Sequence, residues 1–302
     1  MGRAVIFITL MLAGLAPPAV DAPYRADIEK WRQQREARLK AEDGWLAVAG
    51  LFWLKEGPNH FGSNPGNAIT LPAGTAAPQA GTFELRQGKV TVRVDPHASV
   101  TAAGKPVTTM EVRSDNPGPP DVLKLGRLSL QVIERGGRYG IRLRDPEAET
   151  RRHFAGLRWF PVREDLRVEA RFVRWPAPRT IPIPNVLGQV NDLPSPGYAE
   201  FMVGGRSLRL EPVIEEPGAG ELFYIFRDQT AGKETYPAGR FLYSPMPKDG
   251  AVVLDFNKAY SPPCAFTAYA TCPLPPPQNR LPVRLEAGEK DPHRTPDSPP
   301  TS

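Results

Sequence analysis

Alternation of apolar and polar residues with a period of two runs through most of the chain between residues 45 and 257. Residues 82–86 (Thr-Phe-Glu-Leu-Arg) and 89–94 (Lys-Val-Thr-Val-Arg-Val) alternate cleanly across Gln87-Gly88, which predicts a tight β-hairpin. The pattern continues at 105–107, 122–125, 128–133 and 139–144, with turns at Ala103-Gly104, Gly126-Arg127 and Gly136-Gly137. It resumes at 166–175, in a hairpin of 198–203 and 207–213 across Gly204-Gly205, and at 221–228, 240–243 and 251–257. Short strands at this spacing predict a mainly β protein: a β-sandwich over 44–145, then a β-barrel-like domain over 146–289. Residues 27–42 differ, being charged and free of proline and glycine. Asp27 is a plausible N-cap, Ile28, Trp31 and Leu39 form a thin apolar stripe, and Gly44 is a stop. One amphipathic lead-in helix is therefore expected within 23–43, with a solvated spacer as the alternative.

Composition supports the β reading. The 302 residues include 36 prolines and 27 glycines, too many helix breakers for a helical bundle. The net charge of +5 is spread along the chain without a long basic run, so no nucleic-acid partner is expected. Nothing in the sequence asks for an oligomer, and a monomer is expected. Residues 1–22 read as a secretory signal: Arg3, an apolar run over 4–16, and Val20-Asp21-Ala22 as the cleavage site. The run stops at Pro17-Pro18, short of the roughly 20 residues that span a bilayer, so no transmembrane segment is expected. Export to the periplasm or outside the cell follows. Residues 290–302 are rich in proline, serine, threonine and charge, and disorder is expected there.

Cys264 and Cys272 stand eight positions apart, which suits a disulfide closing a small loop or a pair of buried thiols. The four histidines (His60, His97, His153 and His293) are scattered, so no metal site is expected. No Gly-rich phosphate loop, Gly-x-Ser-x-Gly, His-Glu-x-x-His or Cys-x-x-Cys occurs, and no cofactor is expected. Arg151, Arg152 and Arg158 around His153 read either as an anion pocket or as a charged, solvated turn.

The stretch 226–280 concentrates the remaining candidate chemistry. Period two puts Val252, Leu254 and Phe256 on one face and Asp255 and Asn257 on the other, while Tyr224, Phe226 and Asp228 share a face. If these strands adjoin 240–243, then Asp228, Arg240, Tyr243, Asp255 and Asn257 converge at one end of the domain. In the functional reading Arg240 holds an anionic group, Asp228 and Asp255 act as acid, base or acceptor, and Tyr236 or Tyr243 stacks on the ligand. In the structural reading the same groups form an internal Arg–Asp network, with Thr230 and Asn257 capping turns. The proline-stiffened loop 261–280 brings Tyr260, Cys264, Asn279 and Arg280 to the same pocket, or serves as a strap across it.

The segment from Phe226 (Phe-Arg-Asp-Gln-Thr-Ala-Gly-Lys-Glu-Thr-Tyr-Pro-Ala-Gly-Arg-Phe-Leu-Tyr), continued by 253–281 and joined by Gly50-Leu-Phe-Trp-Leu and Trp159-Phe-Pro, resembles the uncharacterised bacterial and archaeal family called domain of unknown function 1684. The resemblance covers about 45–289 and implies membership, but no activity or catalytic residues. Residues 59–72 and 123–133 are similar to strand pairs of a forkhead-associated β-sandwich. Ser63 stands where that family has its phosphate-binding arginine, and the Ser-x-x-His signature after Leu71 is missing, which implies loss of phosphothreonine binding. The expectation is a protein that binds a small polar or anionic ligand. The alternatives are a hydrolase using Asp228 and Asp255 with Arg240, and a structural or interaction module.

Overall fold

The computed structural model describes residues 21–294 except Pro217, so nearly all of the signal expected at 1–22, and the tail from 295, lie outside the described residues. The first half carries β1 (Val48–Trp53), β2 (Gly57–Gly62), β3 (Ile69–Thr70), β4 (Gly81–Arg86), β5 (Lys89–Val94), β6 (Val100–Ala102), β7 (Lys105–Pro106), β8 (Thr109–Val112), β9 (Val122–Leu125), β10 (Leu128–Arg135) and β11 (Arg138–Arg144). They form two sheets, β1-β11-β10-β9-β6-β7 and β3-β2-β4-β5-β8. Alternate residues face inward, so Phe61, Phe83, Val92, Leu130 and Ile141 share one core, with the two phenylalanine rings 5.0 Å apart. The β4–β5 hairpin turns at Gln87 (φ 49°) and Gly88 (φ 79°), as the sequence predicts. Gly81 is required where it stands: its φ is +153°, and a Cβ there would lie 2.4 Å from the Arg93 carbonyl oxygen.

The second half carries β12 (Arg167–Pro184), β13 (Val190–Val203), β14 (Arg206–Leu210), β15 (Glu221–Phe226), β16 (Arg240–Pro245) and β17 (Ala251–Asp255). Its ladders run as a four-stranded sheet, β14-β13-β12-β17, and a two-stranded one, β15-β16. The two wrap a common core of Leu210, Tyr224, Phe226, Leu242, Leu254 and Phe256, barrel-like in section, but among the described residues the ladders do not join into one ring. β15 is buried on both sides. Leu222, Tyr224 and Phe226 face that core, while Phe223 and Ile225 face a second one with Ile181, Ile183, Phe241 and Cys272. Its alternation is thus real, yet neither face meets solvent.

The lead-in helix α1 (Ala22–Lys40) starts five residues before Asp27. Asp21 is the N-cap and accepts from the Tyr24 N–H at 3.2 Å, and Pro23 fits the first turn because its missing N–H has no helical partner there. Ile28 and Leu39 are buried as expected, and two arginines complete the docking face. Arg32 donates to the Phe160 carbonyl at 2.8 Å and lies over Trp159. Arg35 pairs with the buried Glu289 at 3.2 Å, donates to the Ser261 carbonyl and lies 4.5 Å from the Tyr260 ring centre.

The charged junction after β11 is a turn, not an anion pocket. Its short helix α2 (Glu149–Arg152) lets Arg151 donate to the carbonyls of Lys40 and Pro146, and Arg158 donates to that of Asp291. Order also persists past residue 290: the N–H groups of Lys290 and Asp291 donate to the carbonyls of Arg158 and Glu234, and Asp291 is buried. No described helix is long and apolar enough to cross a membrane.

Candidate functional site

The residues expected to converge are distributed over separate places. Asp228 and Arg240 meet at 3.4 Å, but each side chain is only 1% exposed. Asp228 also accepts from the Thr230 hydroxyl at 2.7 Å and the Leu285 N–H at 2.6 Å. Arg240 donates to the carbonyls of Leu285 and Ala287 and lies over the Phe226 ring. Burial pulls the Arg240 guanidinium below its ordinary range, and the Asp228 charge opposes that fall. This network sews the chain at 285–287 onto the β15–β16 hairpin, with Thr230 bonded onward to Thr235 at 2.9 Å.

Asp255 and Asn257 sit elsewhere, under the start of α1. The Tyr24 hydroxyl donates to Asp255 at 2.8 Å, and the Asn257 side chain bonds the Arg163 N–H, the Arg163 carbonyl and the Tyr24 oxygen. Asn279 is buried and pins two strands, accepting from the Glu211 N–H and donating to the carbonyls of Glu211 and Ile225. The Tyr236 hydroxyl donates to the Cys264 carbonyl at 3.0 Å. Arg280 is exposed beside a shallow depression that also touches Arg227 and Lys233. The paired-carboxylate arrangement of Asp228 and Asp255 with Arg240 is therefore not built. Each carboxylate is buried and bonded to different partners, because fixing the C-terminal strap and α1 takes those groups.

Tyr243 and Tyr260 do reach a cavity. A cleft of about 1110 Å³ opens between the sandwich and the second half. One wall is a ladder of rings: Phe223 stacks on Tyr243 at 4.7 Å and 19°, and Tyr243 lies nearly parallel to Tyr260 at 6.4 Å and 13°. β15 and β16 pair Phe223 directly with Tyr243, so the register of that hairpin creates the stack. Arg35 covers the Tyr260 end. The Tyr243 hydroxyl donates to Glu215, in the loop before β15. Enclosure raises the Glu215 carboxyl above its ordinary range, and the neighbouring Glu216 charge adds to the rise. Burial and the nearby Glu215 charge push the Tyr243 phenol well up, and burial pushes Tyr260 up to about 12.

The opposite wall comes from the sandwich, at Asp115, Asn116, Glu134 and Arg135. Carboxylates outnumber guanidiniums on the lining, since Glu216 and Glu221 join the three acids already named against Arg35 and Arg135. Both arginines are engaged: Arg35 with Glu289, and Arg135 with Asp115 through two bonds of 2.8 Å. The cleft is thus acidic within a basic chain. Cys272 also lines it; Cys264 and Cys272 are free thiols, the second of the two forms their spacing allows. Among the described residues no group of three or more His, Cys, Asp or Glu side chains is gathered as metal ligands are.

Sequence reasoning missed the sandwich wall and the Glu215-Glu216 loop. Asp115, Asn116 and the Glu215-Glu216 loop lie in segments without apolar periodicity, Asp115-Asn-Pro-Gly-Pro-Pro and Glu215-Glu-Pro-Gly-Ala-Gly, and that loss of period beside acids was the available signal, whereas Glu134 and Arg135 end strand β10.

No curated protein matches the chain. Among solved structures, an uncharacterised protein of Haloarcula marismortui is 32% identical over 46% of this chain and 78% of its own, with a TM-score of 0.40. The FHA-2 domain of a Mycobacterium tuberculosis ABC transporter is 15% identical over 47% of this chain and 97% of its own, and the FhaA FHA domain 16% identical over 31% and 97%, each with a TM-score of 0.23. Residues 152–290, which hold the ring ladder and the buried Asp228–Arg240 network, match a family described only as protein of unknown function. That match, to the family called DUF1684, is to residues 152–290 of the chain.

Proposed function

We propose that this protein binds a small polar molecule, neutral or cationic, in the cleft between its two halves. The observation that carries the reading is the Phe223–Tyr243–Tyr260 ladder in the wall of a cavity of about 1110 Å³, with Tyr243 its exposed ring beside Glu215. Aromatic faces with a few convergent acceptors suit the ring face of a sugar or an organic amine, since each offers apolar surface and donors together. The anionic ligand expected from Arg240 has little support, because Arg240 is enclosed and the cleft carries surplus negative charge.

A thermal-shift panel of sugars, amines, carboxylates and phosphates on the purified chain tests this. Sugars or amines should raise the melting temperature, and Tyr243→Ala should remove the response while leaving the unliganded melting temperature within a few degrees. A response to anions alone, or an undiminished response in Tyr243→Ala, would remove the cleft from consideration. The export reading rests on the Arg3, apolar-run and Val20-Asp21-Ala22 pattern. It predicts a mature N-terminus at residue 23 in a bacterial extracytoplasmic fraction, and an intact Met1 on the cellular protein would overturn it.

A further inference from the structure

The shallow depression beside Arg280 shares no lining residue with the cleft. It measures about 470 Å³. Arg227, Gln229, Lys233 and Arg280 border it, all exposed, and the buried Asp228 and Leu281 lie deeper in its lining.

The backbone fixes where these cations stand. Arg227 follows directly on β15, and residues 279–281 run parallel to it. The Arg227 N–H donates to the Asn279 carbonyl at 3.0 Å, and the Leu281 N–H donates to the Arg227 carbonyl at 2.7 Å. This bridge sets Arg227 and Arg280 side by side, about 4.8 Å apart at the backbone, with both side chains on one face. The buried Asn279 amide locks the register through its bonds to Glu211 and Ile225. Lys233 stands on a turn closed by the Thr230 carbonyl, which accepts from the N–H groups of Lys233, Glu234 and Thr235.

No carboxylate answers this charge. The Asp228 side chain is 1% exposed and paired with Arg240, while Arg284 takes both Glu234 and Glu286. Among the described residues the side chains of Arg227, Lys233 and Arg280 make no ion pair and no hydrogen bond. Arg206, on β14, adds a further cation at the rim by donating to the Pro282 carbonyl at 3.1 Å. Like charges held side by side repel each other, and an anion bound between them removes that repulsion. Two guanidinium forks and an ammonium suit a group with several oxygens and a charge near minus two, which is the chemistry of a phosphate monoester.

We propose that this depression binds phosphate monoesters through Arg227, Arg280 and Lys233. The chemistry is the same whether the monoester is a free small molecule or a lipid headgroup. This site does not depend on the small-molecule reading above.

The test titrates the full chain with inorganic phosphate and with glycerol 3-phosphate by calorimetry at constant ionic strength, with acetate as the singly charged comparison. Both phosphates should bind saturably, and acetate should not. Arg227→Gln and Arg280→Gln should each weaken phosphate binding about tenfold or more. Lys105→Gln, which removes one exposed charge from the sandwich, should leave it unchanged. Flotation with phosphatidylcholine vesicles, plain or carrying phosphatidic acid or phosphatidylglycerol, then separates the sources. Capture by phosphatidic acid alone supports the site with a lipid headgroup as its ligand, and no capture supports it with a soluble ester. Capture by phosphatidylglycerol equal to that by phosphatidic acid would overturn the monoester assignment. Absence of phosphate binding, equal binding of acetate, or an equal loss in Lys105→Gln would overturn the site itself. Because the substituted side chains are exposed, circular dichroism should show native folding, and if one variant does not fold the other arginine variant and Lys233→Gln decide it.

Discussion

Replacing Arg240 with methionine keeps most of the side-chain volume but removes the charge that faces Asp228. Both side chains are 1% exposed, so water cannot take the place of the guanidinium. Asp228 would keep its bonds from Thr230 and the Leu285 N–H, while the carbonyls of Leu285 and Ala287 would lose their donor. Breaking a buried pair by deleting one partner costs about 3–5 kcal/mol, against a total stability of about 5–15 kcal/mol for a typical domain. A loss of about 4 kcal/mol is expected here. At a urea slope of about 3 kcal/mol per molar, the unfolding midpoint should fall by about 1.3 M, followed by tryptophan fluorescence and far-ultraviolet circular dichroism together. Adding Asp228→Asn should recover part of the loss, since the second change removes the stranded charge. A cost below about 1 kcal/mol for Arg240→Met would refute the reasoning. It would mean that the guanidinium is hydrated in the folded protein and reachable by ligands.

Asn279→Ala removes three hydrogen bonds made by one buried amide, and a loss of about 2–4 kcal/mol should appear in the same urea assay. Tyr24→Phe cuts the link from α1 to Asp255 and Asn257, which should cost about 1–2 kcal/mol and increase amide exchange in the first turns of the helix. The Arg127 guanidinium holds the Asp145 carboxyl below its ordinary value through bonds of 2.7 and 2.9 Å. A depressed carboxyl stabilises the fold above its unfolded value near 3.9 and loses that contribution as pH falls through its lower folded value. Asp145→Asn should therefore cost about 1 kcal/mol at pH 7, a modest figure because Arg127 is 40% exposed, and the gap should close as pH drops below 4. An equal gap at pH 7 and pH 3 would contradict the assignment.

Most strands were legible because period two survives wherever one face of a sheet is buried, as in β4, β5 and β13. Its limit shows at β15, where Phe223 and Tyr224 are both enclosed although they point to opposite faces, so alternation could not tell core from pocket. The polar side of 252–257 failed for the same reason: Asp255 and Asn257 face α1, an element over two hundred residues away in sequence. Arg32 and Arg35 were hidden in a helix that reads as polar, since nothing local shows that Glu289 and the Phe160 carbonyl wait for them. Tyr243, expected to stack on a ligand, and Tyr260, expected to line the pocket, do line the cleft, but their acidic surroundings depend on loops that only the fold brings near.

The two walls of the cleft are encoded far apart. The aromatic ladder falls within the 152–290 match, whereas Asp115, Glu134 and Arg135 lie in the preceding sandwich. On the binding role proposed above, selectivity in the cleft would be modular, with the ladder as a common platform and the preferred guest changed by altering the facing domain alone. Recombining the two halves between chains that share the 152–290 match would then be a direct route to new binding behaviour, with the ring stack left untouched.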